Sequence, residues 1–146
     1  MKKTIYITIA MIAFTFAAAE TSLACSCIAP TGKVKTQVTN AYRDAAAIFL
    51  GRVVSIGKTP DGNYWIVKFT VRDTWKGTGT SEITIKTALE SAMCGYGFED
   101  GKTYLVYAHG NADDLNVGNC SRTTSVLDKT DVTYLAKLKK KYAAKK

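Results

Sequence analysis

The chain has 146 residues, of which 47% are hydrophobic, and its formal net charge is +8. This length predicts one globular domain and leaves little room for a multidomain enzyme. A single histidine excludes an HExxH zinc site, and the complete P-loop and GxGxxG patterns are absent. The positive charge suggests nucleic acid, acidic glycans or anionic lipid as possible binding partners.

The first 24 residues have the pattern of a secretory signal peptide. A lysine pair precedes Ile5–Ala19, a run of 15 residues without a charge. Ser22 and Ala24 then supply small residues at −3 and −1 of a cleavage site after Ala24. We therefore expect export to the periplasm or the medium and cleavage, which leaves Cys25 as the first residue of the mature protein.

Two other fates of this segment are weaker alternatives. An uncleaved anchor would need a run of about 20 apolar residues to span a bilayer. Lipoprotein maturation also cuts before a cysteine and acylates it, but its usual signal has a large aliphatic residue where this chain has Ser22. The alternatives differ chemically, because acylation blocks the α-amino group of Cys25 and simple cleavage leaves it free.

All four cysteines lie in the mature chain, at Cys25, Cys27, Cys94 and Cys120. An even number of cysteines in an exported chain predicts disulfides, here two. A zinc site would need paired CxxC motifs, whereas this chain has one CxC and two distant cysteines. The sequence alone leaves the pairing open, although a direct Cys25–Cys27 bond would close a small strained ring.

The order of elements predicts a mainly β fold, a five-stranded OB-fold Greek-key barrel with one helix before the strands and one after. The first helix is predicted over Val34–Ala47, and the last runs from a cap at Asp128 or Thr130 to Tyr142. The strands are predicted at Ile48–Ile56, Tyr64–Thr74, Glu82–Thr87, Thr103–Ala108 and Leu115–Cys120.

Two further features refine this domain. Gly51 inside the first strand predicts a bulge or sharp bend, and Ala88–Gly97 is predicted to be irregular. The barrel domain is placed at residues 25–128, and residues 129–146 are predicted to form a basic helix packed on the barrel or trailing from it.

Several segments together resemble the tissue inhibitors of metalloproteinases (TIMPs). Cys25–Pro30 resembles the Cys-x-Cys opening of that family, and Ala88–Tyr96 resembles its second contact loop. Tyr104–Gly110 with Leu115–Cys120 is similar to the following strand pair, and Ile48–Ile56 fits the first strand. The resemblance covers nearly all of the mature chain as one bacterial-type, netrin-like domain. It departs from the animal members in lacking their cysteine-rich C-terminal domain and a third disulfide in the inhibitory domain.

The resemblance implies disulfides Cys25–Cys94 and Cys27–Cys120 and an inhibitor of zinc metalloendopeptidases. A catalytic zinc keeps an open position, and the free amine and carbonyl of Cys25 would chelate it while Ser26 enters the S1′ pocket. The other residues expected to contact the protease are Cys27, Ile28, Ala29 and Pro30 on the primed side, and Glu90, Ser91, Ala92 and Met93 on the unprimed side.

The protein is not expected to be an enzyme, since both disulfides would consume the thiols. It is expected to be a monomer without a cofactor or a metal of its own. The alternative is a netrin-like module for a glycan, an envelope surface or a protein. Residues 25–136 carry 12 basic and 11 acidic residues, whereas six lysines lie in the last ten positions. An anionic surface is therefore expected to bind Lys137, Lys139, Lys140 and Lys141. Nucleic acid is a poor candidate for a partner, because the protein is expected to be exported.

Three minor features are expected to be structural. His109 is expected to be a surface or turn histidine rather than a metal ligand. Asp113 and Asp114 are expected to be solvated rather than to bind calcium. The aromatic residues of the second strand are expected in the core or at its edge rather than on a base-stacking surface: Tyr64, Trp65 and Phe69.

Overall fold

The structure, a computed structural model, describes residues 25–77, 79–125 and 129–144. The signal peptide predicted for residues 1–24 lies outside this range. A closed five-stranded barrel carries one helix before its strands and one after them, so the predicted mainly β, OB-like fold is confirmed. The elements are α1 (Val34–Asp44), β1 (Ala47–Lys58), β2 (Tyr64–Lys76), β3 (Glu82–Ala88), a 3₁₀ turn (Ser91–Met93), β4 (Thr103–Asn111), β5 (Asp114–Asn116) and α2 (Lys129–Ala143).

The barrel closes in the order β1-β2-β3-β5-β4, with β4 returning to β1. Most neighbouring strands run antiparallel, whereas β3 and β5 meet in parallel at Lys86 and Asn116. A register shift falls between Leu50 and Gly51 in β1. A Cβ at Gly51 would come within 3.1 Å of the Phe49 ring and of Phe69 Cβ, so β1 bends closely over the aromatic core there. The irregularity predicted at Gly51 is confirmed.

Two hydrophobic clusters hold the domain together, one inside the barrel and one between the barrel and the helices. On β4, Val106 belongs to the interior cluster, while Leu105 and Tyr107 pack under the helices. Both faces of this strand are therefore buried, which explains its unbroken apolar sequence. From α2, Leu135 and Leu138 enter the outer cluster, so the lysine-rich helix is packed on the barrel.

Several predicted bounds differ from those in the structure, and most strands are longer than predicted. The first helix ends at Asp44 rather than Ala47, because Ala45 is extended and Ala47 already pairs with Ala108 in the barrel.

The fifth strand spans Asp114–Asn116 rather than Leu115–Cys120, because Gly118 turns away to bridge Gly95. The last helix begins at Lys129, so Thr130 lies within it and is not its N-cap. The other predicted cap, Asp128, lies outside the described residues. Within the described ranges, no helix is both long and apolar enough to span a membrane.

Candidate functional site

Two disulfides fasten the N-terminal segment to the barrel. Cys25 is bonded to Cys94, with Cα atoms 5.1 Å apart, and Cys27 is bonded to Cys120, with Cα atoms 5.2 Å apart. These are the pairings that the resemblance implies. They join residues 69 and 93 positions apart, so chain segments from opposite ends of the domain meet here. Because Cys25 and Cys27 are both bonded, the tripeptide that they enclose is held at each end.

Backbone hydrogen bonds align the same segments. The Cys25 N–H donates to the Ala92 carbonyl at 3.1 Å, and the Asn119 N–H donates to the Cys94 carbonyl at 2.9 Å. Gly95 bridges Gly118 in antiparallel fashion. The nitrogen of Cys25 is thus fixed in position by its own hydrogen bond as well as by the disulfide of its side chain.

The segment beside Cys25 is a tight turn. The N–H groups of Met93 and Gly95 both donate to the Glu90 carbonyl at 3.0 Å, which closes the 3₁₀ turn Ser91–Met93. Cys94 ends the turn in a left-handed conformation with φ of 63°. A non-glycine residue there costs about 1–3 kcal/mol and persists where its surroundings impose it. Here the disulfide and the Ser91 carbonyl, which accepts from the Cys94 N–H, impose it.

These two segments meet at Cys25, and we call them together the N-terminal edge (Cys25–Pro30 and Glu90–Met93). Residues 26–30 and 90–93 are all exposed, whereas Cys25 is half-buried. Ile28 is 96% exposed and Met93 is 58% exposed, so the edge presents two large apolar side chains to solvent. The residues predicted to contact a protease are therefore exposed, and their two segments meet at Cys25.

We expect Gly95→Ala to destabilise the domain and displace the turn. A Cβ at Gly95 would lie 2.2 Å from the Ala88 carbonyl oxygen and 2.9 Å from that of Glu90, so the backbone must move. Overpacking of this kind costs about 1–3 kcal/mol. Urea denaturation measures the loss, with Gly97→Ala as the matched control, because a Cβ there meets no atom within 4 Å. Equal stability of the two variants would contradict the prediction.

Sequence analysis missed a polar cluster behind the edge. Arg122 Nε donates to Asp131 Oδ2 at 2.6 Å, and Arg122 Nη2 donates to Oδ1 at 2.8 Å, so the guanidinium binds the carboxylate with two hydrogen bonds. The Tyr107 hydroxyl donates to Oδ2 at 3.4 Å. The hydrogen bond to Asp131 raises the pKa of Arg122. Burial, and then the charge of Asp131, raises the pKa of Tyr107. Spacing in the sequence carries no signal for this cluster, since it depends on the packing of α2.

The minor candidates occupy structural positions. His109 pairs with Asn116 in the β4–β5 ladder. Asp114 Oδ1 lies 2.9 Å from Lys86 Nζ, and this contact raises the pKa of Lys86. Phe69 is fully buried, and half-buried Trp65 donates its indole N–H to the Leu89 carbonyl at 3.3 Å.

One cysteine group in the described ranges has metal-ligand spacing. The sulfur atoms of Cys25, Cys27 and Cys120 lie within 4.8 Å of one another. Each of these sulfurs is already bonded in a disulfide, so none is available as the thiolate that a metal would need.

Two disulfides also bear on the compartment of the protein. Disulfides persist in oxidising compartments and are rare in the cytosol, so the pair indicates a location outside the cytoplasm. No family model matches the chain, and no curated protein matches it.

Proposed function

We propose that the mature protein is an exported, TIMP-like inhibitor of zinc metalloendopeptidases that binds the catalytic zinc through Cys25. The observation that carries this proposal is the position of the Cys25 backbone at an exposed edge, fixed by a disulfide and by a hydrogen bond to Ala92. The signal peptide and its cleavage before Cys25 are part of the proposal, because only cleavage makes this nitrogen an amine.

The chemistry requires two donor atoms on one residue. The amine nitrogen and the carbonyl oxygen of an N-terminal residue form a five-membered chelate, which suits the open position of a catalytic zinc. The Cys25 nitrogen directs one hydrogen at the Ala92 carbonyl, which orients it, and no described residue donates a backbone hydrogen bond to the Cys25 carbonyl. The target would have no bond to hydrolyse, because no peptide bond precedes Cys25 in the mature protein.

Rigidity supports the same proposal. A flexible segment loses entropy when it is ordered on binding, whereas a segment already held in its bound shape does not. The two disulfides hold Ser26 between them, and its small polar side chain would enter the S1′ pocket without filling a deep one. We therefore expect broad selectivity, with apolar contact from Ile28 on the primed side and Met93 on the unprimed side.

The Cys25–Cys94 disulfide also argues against a lipid anchor. Lipoprotein maturation attaches its diacylglyceryl group to the same Sγ that Cys94 occupies here. The intact mass of the exported protein separates the possibilities, because a free Cys25 amine, an acylated Cys25 and an uncleaved chain differ in mass. A lipid-modified mass would overturn the zinc-binding mechanism.

The test of the proposed function is a titration of the protein beginning at Cys25 against a panel of zinc endopeptidases. We expect inhibition that weakens as pH falls, because the chelating amine must lose its proton and an ordinary α-amino group titrates at roughly 7.7–8.0. Below that range, the inhibition constant should rise about tenfold for each pH unit.

The control for this pH profile is the enzyme itself. The pH dependence of kcat/KM reports the ionisations of the free enzyme, so these are measured separately and removed from the profile of the inhibition constant. A corrected profile that stays flat below the titration range of the amine would contradict chelation by that group. Failure to inhibit any enzyme of the panel would overturn the proposed function.

A second role, attachment to an anionic surface, is favoured by the outer face of α2. Lys137, Lys140 and Lys141 are exposed on this helix. Lys139 is engaged differently, since its Nζ donates to the Thr74 carbonyl at 2.7 Å. We therefore assign surface binding to three of the four lysines predicted for it, with Lys139 helping to fasten the helix to β2.

We expect Lys137→Gln/Lys140→Gln/Lys141→Gln to weaken binding to phosphatidylglycerol vesicles by roughly a hundredfold at low salt, because each lysine near such a surface contributes about 1 kcal/mol. Vesicle sedimentation measures the effect. The matched control replaces three exposed lysines elsewhere, Lys33, Lys35 and Lys68, with glutamine. An equal loss in both triple variants would show a response to net charge alone and would contradict the assignment to α2.

A further inference from the structure

The stretch between Cys27 and α1 belongs in part to the N-terminal edge and contains no strand. Two of its carbonyl groups accept hydrogen bonds from one side chain of α1. Gln37 Nε2 donates to the Gly32 carbonyl at 3.0 Å and to the Pro30 carbonyl at 3.3 Å. Gln37 thus reaches back from the helix and holds the chain that leads into it.

The amide of Gln37 is itself held from the other side. Arg122 Nη1 donates to Gln37 Oε1 at 3.1 Å. A glutamine amide has one oxygen acceptor and one NH₂ donor, so a guanidinium on the oxygen directs the NH₂ group at the two carbonyls. Arg122 therefore sets the orientation in which Gln37 can bind Pro30 and Gly32.

Arg122 is fixed by Asp131, whose side chain is only 4% exposed in the first turn of α2. A guanidinium presents its donors in a rigid planar fork, so two hydrogen bonds to one carboxylate determine where the remaining donors point. Arg122 also lies two residues after Cys120, which is bonded to Cys27. Arg122 thus contacts the edge through Gln37 and lies close along the chain to the disulfide at Cys27.

We propose that Gln37, Arg122 and Asp131 are positioning residues that hold residues 28–33 in the shape in which the edge binds its target. This inference rests on the proposed function. Through this series of hydrogen bonds, the C-terminal helix contributes to inhibition although it contains none of the residues predicted to contact the protease. Its first turn, rather than its lysines, makes this contribution.

The decisive variant is Gln37→Glu. A carboxylate of the same length still accepts from Arg122 but has no N–H to donate to Pro30 or Gly32. We expect an unchanged melting temperature, lower backbone NMR order parameters over residues 28–33, and an inhibition constant raised about tenfold, because the loosened segment must then be ordered on binding.

The matched control is Asn40→Asp, which adds the same charge to an exposed position of α1 and keeps the acceptor that Arg43 uses. It should leave both the order parameters and inhibition as in the unaltered protein. Arg122→Lys is the second variant, because a lysine keeps the charge opposite Asp131 but cannot bind the carboxylate and Gln37 through one planar fork. It should also lower the order parameters over residues 28–33, and it provides the test if Gln37→Glu does not fold.

Order parameters over residues 28–33 that stay high in both variants overturn the inference, as do lowered order parameters with unchanged inhibition. The order parameters report on the edge whether or not an enzyme is inhibited. An unaltered protein that inhibits no zinc endopeptidase therefore defeats the proposed function, while the order parameters still decide whether these residues order the segment.

Discussion

A protein that carries one extra alanine before Cys25 is expected to lose inhibition of zinc endopeptidases by at least roughly a hundredfold, about 2.8 kcal/mol. The addition turns the Cys25 amine into an amide, whose nitrogen has no basic electron pair for a metal. The hydrogen bond from this nitrogen to Ala92 survives, because an amide N–H donates as well as an amine does. The loss should therefore appear in the inhibition constant and leave the stability of the barrel unchanged.

Two controls make this result specific. Removal of the added alanine with an aminopeptidase should restore inhibition fully, because it regenerates the free amine of Cys25. A chain with an alanine added after Lys146 should inhibit as the unaltered protein does. If the N-terminal addition leaves the inhibition constant unchanged, chelation by Cys25 is wrong, whatever other surface the protein uses.

The variant Cys25→Ser/Cys94→Ser is expected to lose about 2–5 kcal/mol of the free energy of unfolding, the usual cost of removing a native disulfide. This is a large part of the roughly 5–15 kcal/mol that stabilises a typical domain. A serine in place of Cys25 would keep both the amine and the carbonyl, so the chelating atoms remain while their attachment to residue 94 is lost. We therefore also expect inhibition to weaken by roughly ten- to a hundredfold, as the freed terminus must be ordered on binding.

The companion variant Cys27→Ser/Cys120→Ser separates stability from inhibition. The two disulfides join residues 69 and 93 positions apart. On chain-entropy grounds their contributions to stability differ by only about 0.3 kcal/mol. Urea denaturation should therefore give similar losses in the free energy of unfolding for both double variants. Removal of the disulfide that holds Cys25 should weaken inhibition more than removal of the other. Stronger inhibition by the Cys25→Ser/Cys94→Ser variant than by its companion would contradict the assigned role of Cys25.

The main elements of the fold were predictable because their signals are local. Apolar residues at spacings of three and four mark α1, and alternation along residues 64–74 marks β2, where Val67 and Phe69 are buried as that pattern requires. Gly51 within a run of β-branched residues predicted an irregular point of β1. The structure gives the reason, because a Cβ at this position would meet Phe49 and Phe69. Element ends were less predictable, because Ala47 joins the barrel through a pairing with Ala108 that lies far along the chain.

The candidate site, like the fold, was only partly predictable from the sequence. The four cysteines are visible in the sequence and a cleavage site before Cys25 is predicted from it, but the disulfide pairing followed only from the resemblance. The structure brings Cys25 against residues 92 and 94, so two segments distant in the sequence meet there. The hydrogen-bonded group behind it was not predictable, because Gln37 and Arg122 are 85 positions apart and neither belongs to a motif.

By itself, the sequence determined the types and order of the elements, the number of disulfides to expect and the residue expected to become the N-terminus. These depend on side-chain periodicity, glycine conformation and short cleavage motifs, all of which act between near neighbours. The residues of the sequence did not by themselves show that Cys94 lies against Cys25, that Leu135 of α2 packs on the barrel, or that Asp131 reaches Arg122. Such contacts depend on how the closed barrel packs distant segments together, and no local pattern in the chain encodes that packing.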